Sequence, residues 1–413
     1  MSIALPFMIV IIAIILTRHS LTIQADATNT VACSDITAQY RAPVSTTAEL
    51  ISAIQHAQPG DLIVLADGLY EAPFTITLSG TAELPITICG SEKAILTGAD
   101  VSRKYVISLN HVSYWHMIGI TLTLGKKGIM LDGTHHCILD RLIVYNIGQE
   151  AVHFRTNSTN NTISNSWIYR TGRTDSQYGE GIYIGSAKSN LVGDASNFNR
   201  VLNNRIGPDV TAECIDVKEY TSNGILAGNR FSGSGLTGGV TDSFVDVKGN
   251  NYTIENNYGS SDSSGLTDAF QTHEVVPGWG WYNTFNGNRL DDSAPGYIVN
   301  PQLSGKQTNI VTCTNEGNGA TKGITHVTCR QNGTVFSAAL AYPNRVNPGI
   351  ASSNVTDDYA IPSDPSIYPG TSSNPRPTTV SVTSLASDRS DRYSMLVIIL
   401  LAITTVVAQS NVL

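Results

Sequence analysis

The chain has 413 residues, of which 14% are charged, and its formal net charge is −8. An acidic chain without a basic run or an aromatic platform argues against a nucleic-acid partner. The length is ample for a large hydrophobic core, and we expect one elongated main domain over 28–345 that acts as a monomer.

The N-terminus predicts a secretory signal over 1–25. Residues 3–16 are almost wholly apolar, and Ala25-Asp26-Ala27 offers a small-x-small cleavage site. The alternative is a membrane anchor, because no Lys or Arg precedes the apolar core. N-x-[ST] sequons favour a secreted, glycosylated protein; they begin at Asn157, Asn160, Asn251, Asn332 and Asn354.

The next segment predicts a cap. A short helix is expected to run through Ala57, with Ser45, Thr46 or Thr47 as its N-cap. Its apolar stripe would be Leu50, Ile51 and Ile54. Such a helix covers the open end of a β-structure, which otherwise exposes unpaired strand edges. The first strands are predicted at 61–69, 74–78 and 85–89.

A short sequence pattern typical of a β-strand then recurs every 23 to 33 residues from about 127 to about 300. Its first inward apolar residues are Ile129, Val152, Ile182, Ile215, Val245, Phe270 and Ile298. A period of this size indicates a stacked repeat whose units bury a continuous core. Gly, Asn, Ser and Thr fill the gaps, and long amphipathic helical patterns are absent. The sequence therefore predicts an all-β fold, a right-handed parallel β-helix.

Most copies of the pattern also contain an asparagine. These residues are Asn165, Asn204, Asn229, Asn256 and Asn288. We predict that they form a ladder inside a tight turn, where Asn tolerates the left-handed conformation and its amide bonds along the stack.

When the repeated strands stack, their equivalent outward residues form columns on one outer face, because side chains alternate between the two faces of a strand. One column reads Met130, His153, Tyr183, Asp216, Asp246 and Gln271. The column two residues further on reads Asp132, Arg155, Gly185, Lys218, Lys248 and His273. This concentration of acids, lysines and histidines indicates a site. Glu150, Glu180 and Glu213 recur just before three inward residues, which favours a structural role for them.

The C-terminal part predicts a cap from 301 to about 347, a Ser/Thr/Pro-rich linker over 346–390 and a hydrophobic tail over 391–413. The tail resembles a signal for GPI attachment. A retained transmembrane tail and neither of the two remain alternatives, so contact with a membrane is expected only through a lipid anchor or this tail.

Six cysteines fit an oxidising compartment. Cys313 and Cys329 are the expected disulfide, and Cys33 and Cys89 are a second candidate pair. Cys137 and Cys214 fall on different strands of coils three apart, so we expect buried thiols there.

One block resembles a known family. Glu213-Cys214-Ile215-Asp216-Val217-Lys218 is similar to the Glu-x-Ile-x-x-Lys block of the polysaccharide lyase family that contains alginate lyases and chondroitinase B. The segment 61–70 and the coils after it resemble the wider superfamily of pectate-lyase-like β-helix proteins. The lyase resemblance implies that Lys218 is a catalytic base and that Glu213 helps to hold Ca²⁺. The catalytic arginine of that family corresponds here to Lys248-Gly249.

The resemblance and the columns favour β-elimination from an anionic, uronate-containing polysaccharide. Lys218 and Lys248 stack one coil apart, so we expect each to lower the proton affinity of the other. A lysine tuned in this way is a general base. The other lysine, with Arg155, would neutralise the uronate carboxylate. His273 and Tyr183 are candidate general acids.

The remaining candidates would bind substrate or metal. His153, Gln271 and Trp279, together with Tyr183, are predicted to contact the polymer. Asp216 and Asp246, with Glu213, would either hold a cation, for which Ca²⁺ is the candidate, or fix the lysines.

Three alternatives stay open. The lysines and aspartates would form only a charged surface ladder; Asp216 and Asp246 would be the carboxylate pair of a glycoside hydrolase; or the columns would form a non-catalytic carbohydrate-binding face of a cell-wall protein.

Overall fold

The computed structural model describes residues 33–261, 265–302 and 309–331. The predicted signal, the linker, the tail and the sequons at Asn332 and Asn354 lie outside the described residues. Within these ranges no helix has the length and apolar character needed to cross a membrane. The sequon residues Asn157, Asn160 and Asn251 are exposed.

The predicted capping helix is α1, Thr47–His56. Thr46 is its N-cap and forms a capping box with Glu49, which satisfies backbone donors at the start of the helix. Leu50 and Ile54 are buried, and α1 packs against the first strands. The stripe was wrong at Ile51, whose side chain is 37% exposed. Two short 3₁₀ helices span Cys33–Asp35 and Ser176–Tyr178.

The strands are short because each coil turns after a few residues. In the first half of the solenoid they are β1 (Tyr40–Val44), β2 (Asp61–Leu65), β3 (Gly68–Glu71), β4 (Phe74–Ile76), β5 (Ile86–Cys89), β6 (Ala94–Thr97), β7 (Tyr105–Asn110), β8 (Trp115–Ile118), β9 (Thr121–Thr123), β10 (Lys127–Asp132), β11 (Ile138–Asp140), β12 (Ile143–Tyr145), β13 (Val152–Arg155), β14 (Thr162–Ser164) and β15 (Trp167–Tyr169).

The second half continues with β16 (Ile182–Ile184), β17 (Arg200–Leu202), β18 (Arg205–Ile206), β19 (Ile215–Val217), β20 (Ile225–Ala227), β21 (Arg230–Ser232), β22 (Val245–Val247), β23 (Thr253–Glu255), β24 (Tyr258–Ser260), β25 (Phe270–Thr272), β26 (Thr284–Asn286), β27 (Arg289–Asp291), β28 (Val299–Pro301) and β29 (Ile310–Val311).

Within the described residues the strands form three parallel sheets, which confirms the predicted parallel β-helix. Sheet A has 11 strands in the order β1-β2-β5-β8-β11-β14-β17-β20-β23-β26-β29. Sheet B has nine, β27-β24-β21-β18-β15-β12-β9-β6-β3, and sheet C has nine, β28-β25-β22-β19-β16-β13-β10-β7-β4. The predicted strand 61–69 is two strands, β2 and β3, and β1 was not predicted.

The register of sheet C confirms the predicted inward column up to Phe270. The last copy was wrong by one residue, since Phe270 pairs with Val299 and not with Ile298. Both Ile298 and Val299 are fully buried in the core. The coils also extend further toward the C-terminus than predicted, because β29 lies inside the segment that was assigned to the cap.

A buried asparagine ladder joins successive coils, as predicted, but two of its members were misassigned. Asn204, Asn229 and Asn288 belong to it, and each donates its side-chain amide to the next asparagine. The remaining members are Asn257 and Asn315, with Ser166 at the start. Asn165 and Asn256 instead stand one residue earlier, in the left-handed conformation.

The disulfides agree with the predicted pairs. Cys313 bonds to Cys329, and Cys33 bonds to Cys89. Cys137 and Cys214 are free and buried, as expected. The Cys33–Cys89 bond ties the segment before β1 to the outer side of sheet A, and the Cys313–Cys329 bond begins directly after β29.

Candidate active site on sheet C

The predicted outward columns exist on the outer face of sheet C. His153, Tyr183, Asp216, Asp246 and Gln271 are successive register partners. Long connections flank this face at 170–181, 185–199, 233–244 and 273–283. Two of these connections meet, since the Lys188 ammonium donates to the carbonyl of Val275 at 2.8 Å. The middle of the columns is therefore buried, and Asp216 is only 2% exposed.

A continuous chain of charges occupies the middle of the face. Lys218 is ion-paired with Oδ2 of Asp216. The Nζ of Lys248 lies 2.7 Å from Oδ1 of Asp216 and 2.6 Å from Oδ2 of Asp246. The other oxygen of Asp246 accepts from Nδ1 of His273 at 2.7 Å. The predicted pairing of the lysines with the aspartates is therefore real, but it is buried.

The charges fix the protonation states inside this chain. Burial by itself lowers the pKa of Lys248, but the carboxylates of Asp216 and Asp246 outweigh it and raise the pKa well above its usual value. The expectation that the neighbouring lysine would lower it was wrong for Lys248. Burial raises the pKa of Asp246, but Lys248 and His273 prevail and hold it low. The pKa of His273 is raised, because its contact with Asp246 outweighs the effect of burial. Lys248 is thus a fixed cation.

Tyr183 lies beside the charged chain. Its ring centre is 4.7 Å from the Nζ of Lys218, and the ring of His153 packs on it at 4.4 Å. Burial, followed by the nearby charges of Asp216 and Glu180, raises the pKa of Tyr183 far above its usual value. The phenol therefore keeps its proton at neutral pH.

Gly185 lies between Arg155 and Lys218 in the second column and carries no side chain, and we call this position the notch. A Cβ at Gly185 would lie 2.5 Å from Thr221 and 3.3 Å from the Cβ of Lys218, and the residue has φ +88°. Arg155 stands beyond the notch, where it forms a two-point contact with Asp132 and keeps 34% of its side chain exposed. The notch thus has a guanidinium on one side, an ammonium on the other and Tyr183 next to it.

The other predicted substrate contacts are already engaged. His153 makes a 2.9 Å hydrogen bond to the carbonyl of Gly185. Gln271 donates to both Asp242 and Asp268 at 3.1 Å, two coils beyond Asp216. These two residues therefore hold the shape of the face.

Trp279 lies in a flanking connection. It packs edge-to-face on Tyr220 with ring centres 5.4 Å apart, and it is half-buried. This places an aromatic ring in a connection that flanks the outer face of sheet C.

An acidic column precedes the strands. Glu150 pairs with Lys127 at 2.6 Å. Although burial opposes it, contact with His153 and Lys127 lowers the pKa of Glu150 to about 2. Burial and the charge of Asp216 raise the pKa of Glu213 to about 8 and raise that of Glu180 well above its usual value. Lys127 and Glu180 were not predicted site residues. The signal was available, because Lys127, Glu180 and Glu213 each stand two residues before an inward apolar residue.

The Ca²⁺ expectation can be tested against the donors. Side-chain oxygens of Glu180, Glu213 and Asp216 lie within 4.8 Å of one another. Both oxygens of Asp216, however, already accept lysine ammonium groups. Asp246 is held by Lys248 and His273 and is not part of this group. The predicted donors Glu213, Asp216 and Asp246 therefore do not form one cluster, and Ca²⁺ binding by Glu180, Glu213 and Asp216 would have to displace the lysines from Asp216.

The fold and the charged outer face of sheet C are those of a parallel β-helix protein with a candidate site on one sheet. A family described as "Pel9A-like, right handed beta helix region" matches residues 31–205. The alginate lyase from Paenibacillus sp. str. FPU-7 is 40% identical, with a TM-score of 0.66, and the match covers 70% of this chain and 98% of that one.

Pectate lyase Pel9A is 14% identical, with a TM-score of 0.52 and coverage of 71% and 80%, and it shows the fold alone. A comparison with curated proteins found no match. The chain belongs to the family of the Paenibacillus alginate lyase, within the pectate-lyase-like right-handed β-helix superfamily.

Proposed function

We propose that the protein is a secreted or surface-attached polysaccharide lyase that cleaves a uronate-containing polymer by β-elimination. The observation that carries the proposal is the contact of the Lys218 ammonium with the Tyr183 ring, with Arg155 on the other side of Gly185 in the column. The 40% identity to an alginate lyase supports the same class and makes alginate the first polymer to test.

β-Elimination requires three groups around the uronate. A cation must neutralise the carboxylate, which acidifies the proton on C5. A base takes that proton, the electron pair forms the C4–C5 double bond, and the C4–O4 bond breaks. An acid then gives a proton to O4 of the leaving sugar. Arg155 is the exposed cation beside the notch, so we assign the carboxylate to it.

The contacts of the two lysines separate their roles. Lys248 is held by two carboxylates, whereas Lys218 contacts one, and that one is shared with Lys248. Because fewer carboxylates hold Lys218, we assign the role of base to it and not to Lys248. Tyr183 holds its proton until O4 develops charge, and the adjacent Lys218 and Lys248 stabilise the phenolate that remains. His273 is tied to Asp246 and supports Lys248.

The contacts of Asp216 and Asp246 argue against the glycoside hydrolase alternative. Asp216 and Asp246 both accept from Lys248, so neither is available as a nucleophile or as a proton donor. A non-catalytic binding protein would bind the polymer on the same face and would release no product.

The test is product chemistry on a panel of pectate, alginate, glucuronan and glycosaminoglycans. Elimination gives products with the ultraviolet absorbance of an unsaturated uronate, and their mass does not include an added water. Products that contain added water would establish a hydrolase. Binding of one polymer without any new ends would establish a non-catalytic protein, and either result would overturn the proposal.

A further inference from the structure

The outer face of sheet B carries a second ordered row of side chains. Successive register partners there are Trp167, Arg205, Arg230, Tyr258 and Arg289. We name these five residues the arginine–aromatic ladder. It spans four strand spacings, about 19 Å at about 4.8 Å each. It lies on a different sheet from the candidate active site, and the proposed reaction makes no use of it.

The planar groups of the ladder stack on one another. The guanidinium of Arg205 lies 4.8 Å from the ring centre of Trp167, and those of Arg230 and Arg289 lie 5.6 and 6.0 Å from that of Tyr258. The indole of Trp167 is also fixed by donation to the carbonyl of Gly207 at 3.0 Å. These contacts hold the flat faces of the groups in place along the stack.

Further rings widen the ladder at one end. Tyr169 stacks on Trp167 at 4.4 Å, and Tyr145 stacks on Tyr169 at 5.1 Å with nearly parallel planes. These stacking contacts hold the rings in place beside the arginines.

The positive charge of the ladder favours an anionic partner. Three guanidinium groups stand in one row on a chain whose net charge is −8. Arg289 contacts Asp291 and Glu316, yet 52% of its side chain remains exposed. A guanidinium binds a carboxylate through two parallel hydrogen bonds. The equivalent column of sheet A has no such row: its register partners there include Ile138, Thr162, Arg200 and Ile225.

We infer that the arginine–aromatic ladder is a second binding site for a uronate polymer, in which the arginines bind the carboxylates and the aromatic rings hold the guanidinium groups in place. The choice of ligand rests on the proposed function. A site on another face of the same solenoid would keep a long polymer bound after each cleavage, because a second contact raises the effective concentration of the chain at the candidate active site.

The test compares two double variants of the full chain, each in the Lys218→Ala background. Arg205→Gln with Arg289→Gln removes two charges from the ladder. Arg200→Gln with Arg103→Gln removes two charges elsewhere; Arg200 is on sheet A of the same coil as Arg205, and Arg103 is 77% exposed. The probe is fluorescently labelled alginate polymer, titrated at several salt concentrations.

We expect the ladder variant to bind about tenfold more weakly than the control, as two partly exposed ion pairs would allow. Its affinity should also depend less steeply on salt. With Lys218 restored, it should cleave short oligosaccharides at the wild-type rate. Equal affinity and equal salt dependence of the two variants would overturn the inference.

The same titration separates this inference from the proposed function. If the wild-type chain releases no product from any polymer but the ladder variant still loses affinity, the proposed reaction fails and the second site stands. If the wild-type chain cleaves alginate and the two variants bind equally, the reaction stands and the second site fails.

Discussion

The Nζ atom of Lys218 lies 4.7 Å from the ring centre of Tyr183, on strands that are one coil apart. No local motif predicts that these two residues lie close together, because 35 positions separate them in the sequence. Stacking of the coils brings them together. Asp216, the register partner of Tyr183, holds the ammonium of Lys218 from the other side.

Lys248 should be essential for the stability of the site. Lys248→Met leaves Asp216 and Asp246 without their shared cation in a buried setting. We expect the free energy of unfolding to fall by about 3–5 kcal/mol, as measured by denaturant titration. Lys93→Met, at an exposed turn, should change it by less than about 0.5 kcal/mol. A loss no larger than that of the control would show that the network contributes little.

Glu213 should make stability depend on pH. Its pKa is raised from 4.5 to about 8 in the folded state, so the folded chain keeps a proton that the unfolded chain has released across that interval. This contribution is present below pH 4.5 and is lost as pH rises toward 8, by about 1.4 kcal/mol per pH unit. Glu213→Gln should flatten this slope, whereas Glu92→Gln, at an exposed turn, should keep it. Parallel pH profiles for wild type and Glu213→Gln would contradict the assignment.

Much of this account was available from the sequence, because a period-two strand repeated at coil spacing fixes which residues share a column. The order from His153 to Gln271 followed directly. The failures have local causes. Asn256 and Asn257 are adjacent, so the pattern alone could not choose which one bonds along the stack.

Ser166 replaces asparagine at the start of the ladder, so the pattern settled on its neighbour Asn165. At the last coil, Ile298 and Val299 are both apolar and both buried, so alternation gave no answer there. The protonation state of Lys248 was mispredicted because it depends on carboxylates from two coils, and only three-dimensional distances show which contact dominates.

Gly185 should be required for the packing of Lys218 and Thr221 at the notch. Gly185→Ala would bring a Cβ to within 2.5 Å of Thr221, at a positive φ. We expect a loss of stability of more than about 1 kcal/mol and a fall in kcat/KM for the polymer. Gly193→Ala is the matched control, since it has φ +78° and no atom within 4 Å of the added Cβ. It should show the backbone cost with full activity. Equal activity of the two variants would exclude a role for the notch.

Removal of divalent cations should leave activity unchanged. Both oxygens of Asp216 accept lysine ammonium groups, which leaves the Glu180, Glu213 and Asp216 group without a free shared ligand. The measurement is the initial rate on the polymer after dialysis against EDTA, with and without added Ca²⁺. A loss of rate that Ca²⁺ restores would show that the cation displaces the lysines.

The assignment of Lys218 as base and Tyr183 as acid is tested most directly on alginate. The measurement is the ultraviolet absorbance of unsaturated product for wild type, Lys218→Ala and Tyr183→Phe. We expect product from wild type and a fall in kcat of about 10²- to 10⁴-fold in each variant. Tyr178→Phe, at an exposed tyrosine, should keep the wild-type rate. Wild-type rates in Lys218→Ala and Tyr183→Phe would contradict the assignment of base and acid to this pair.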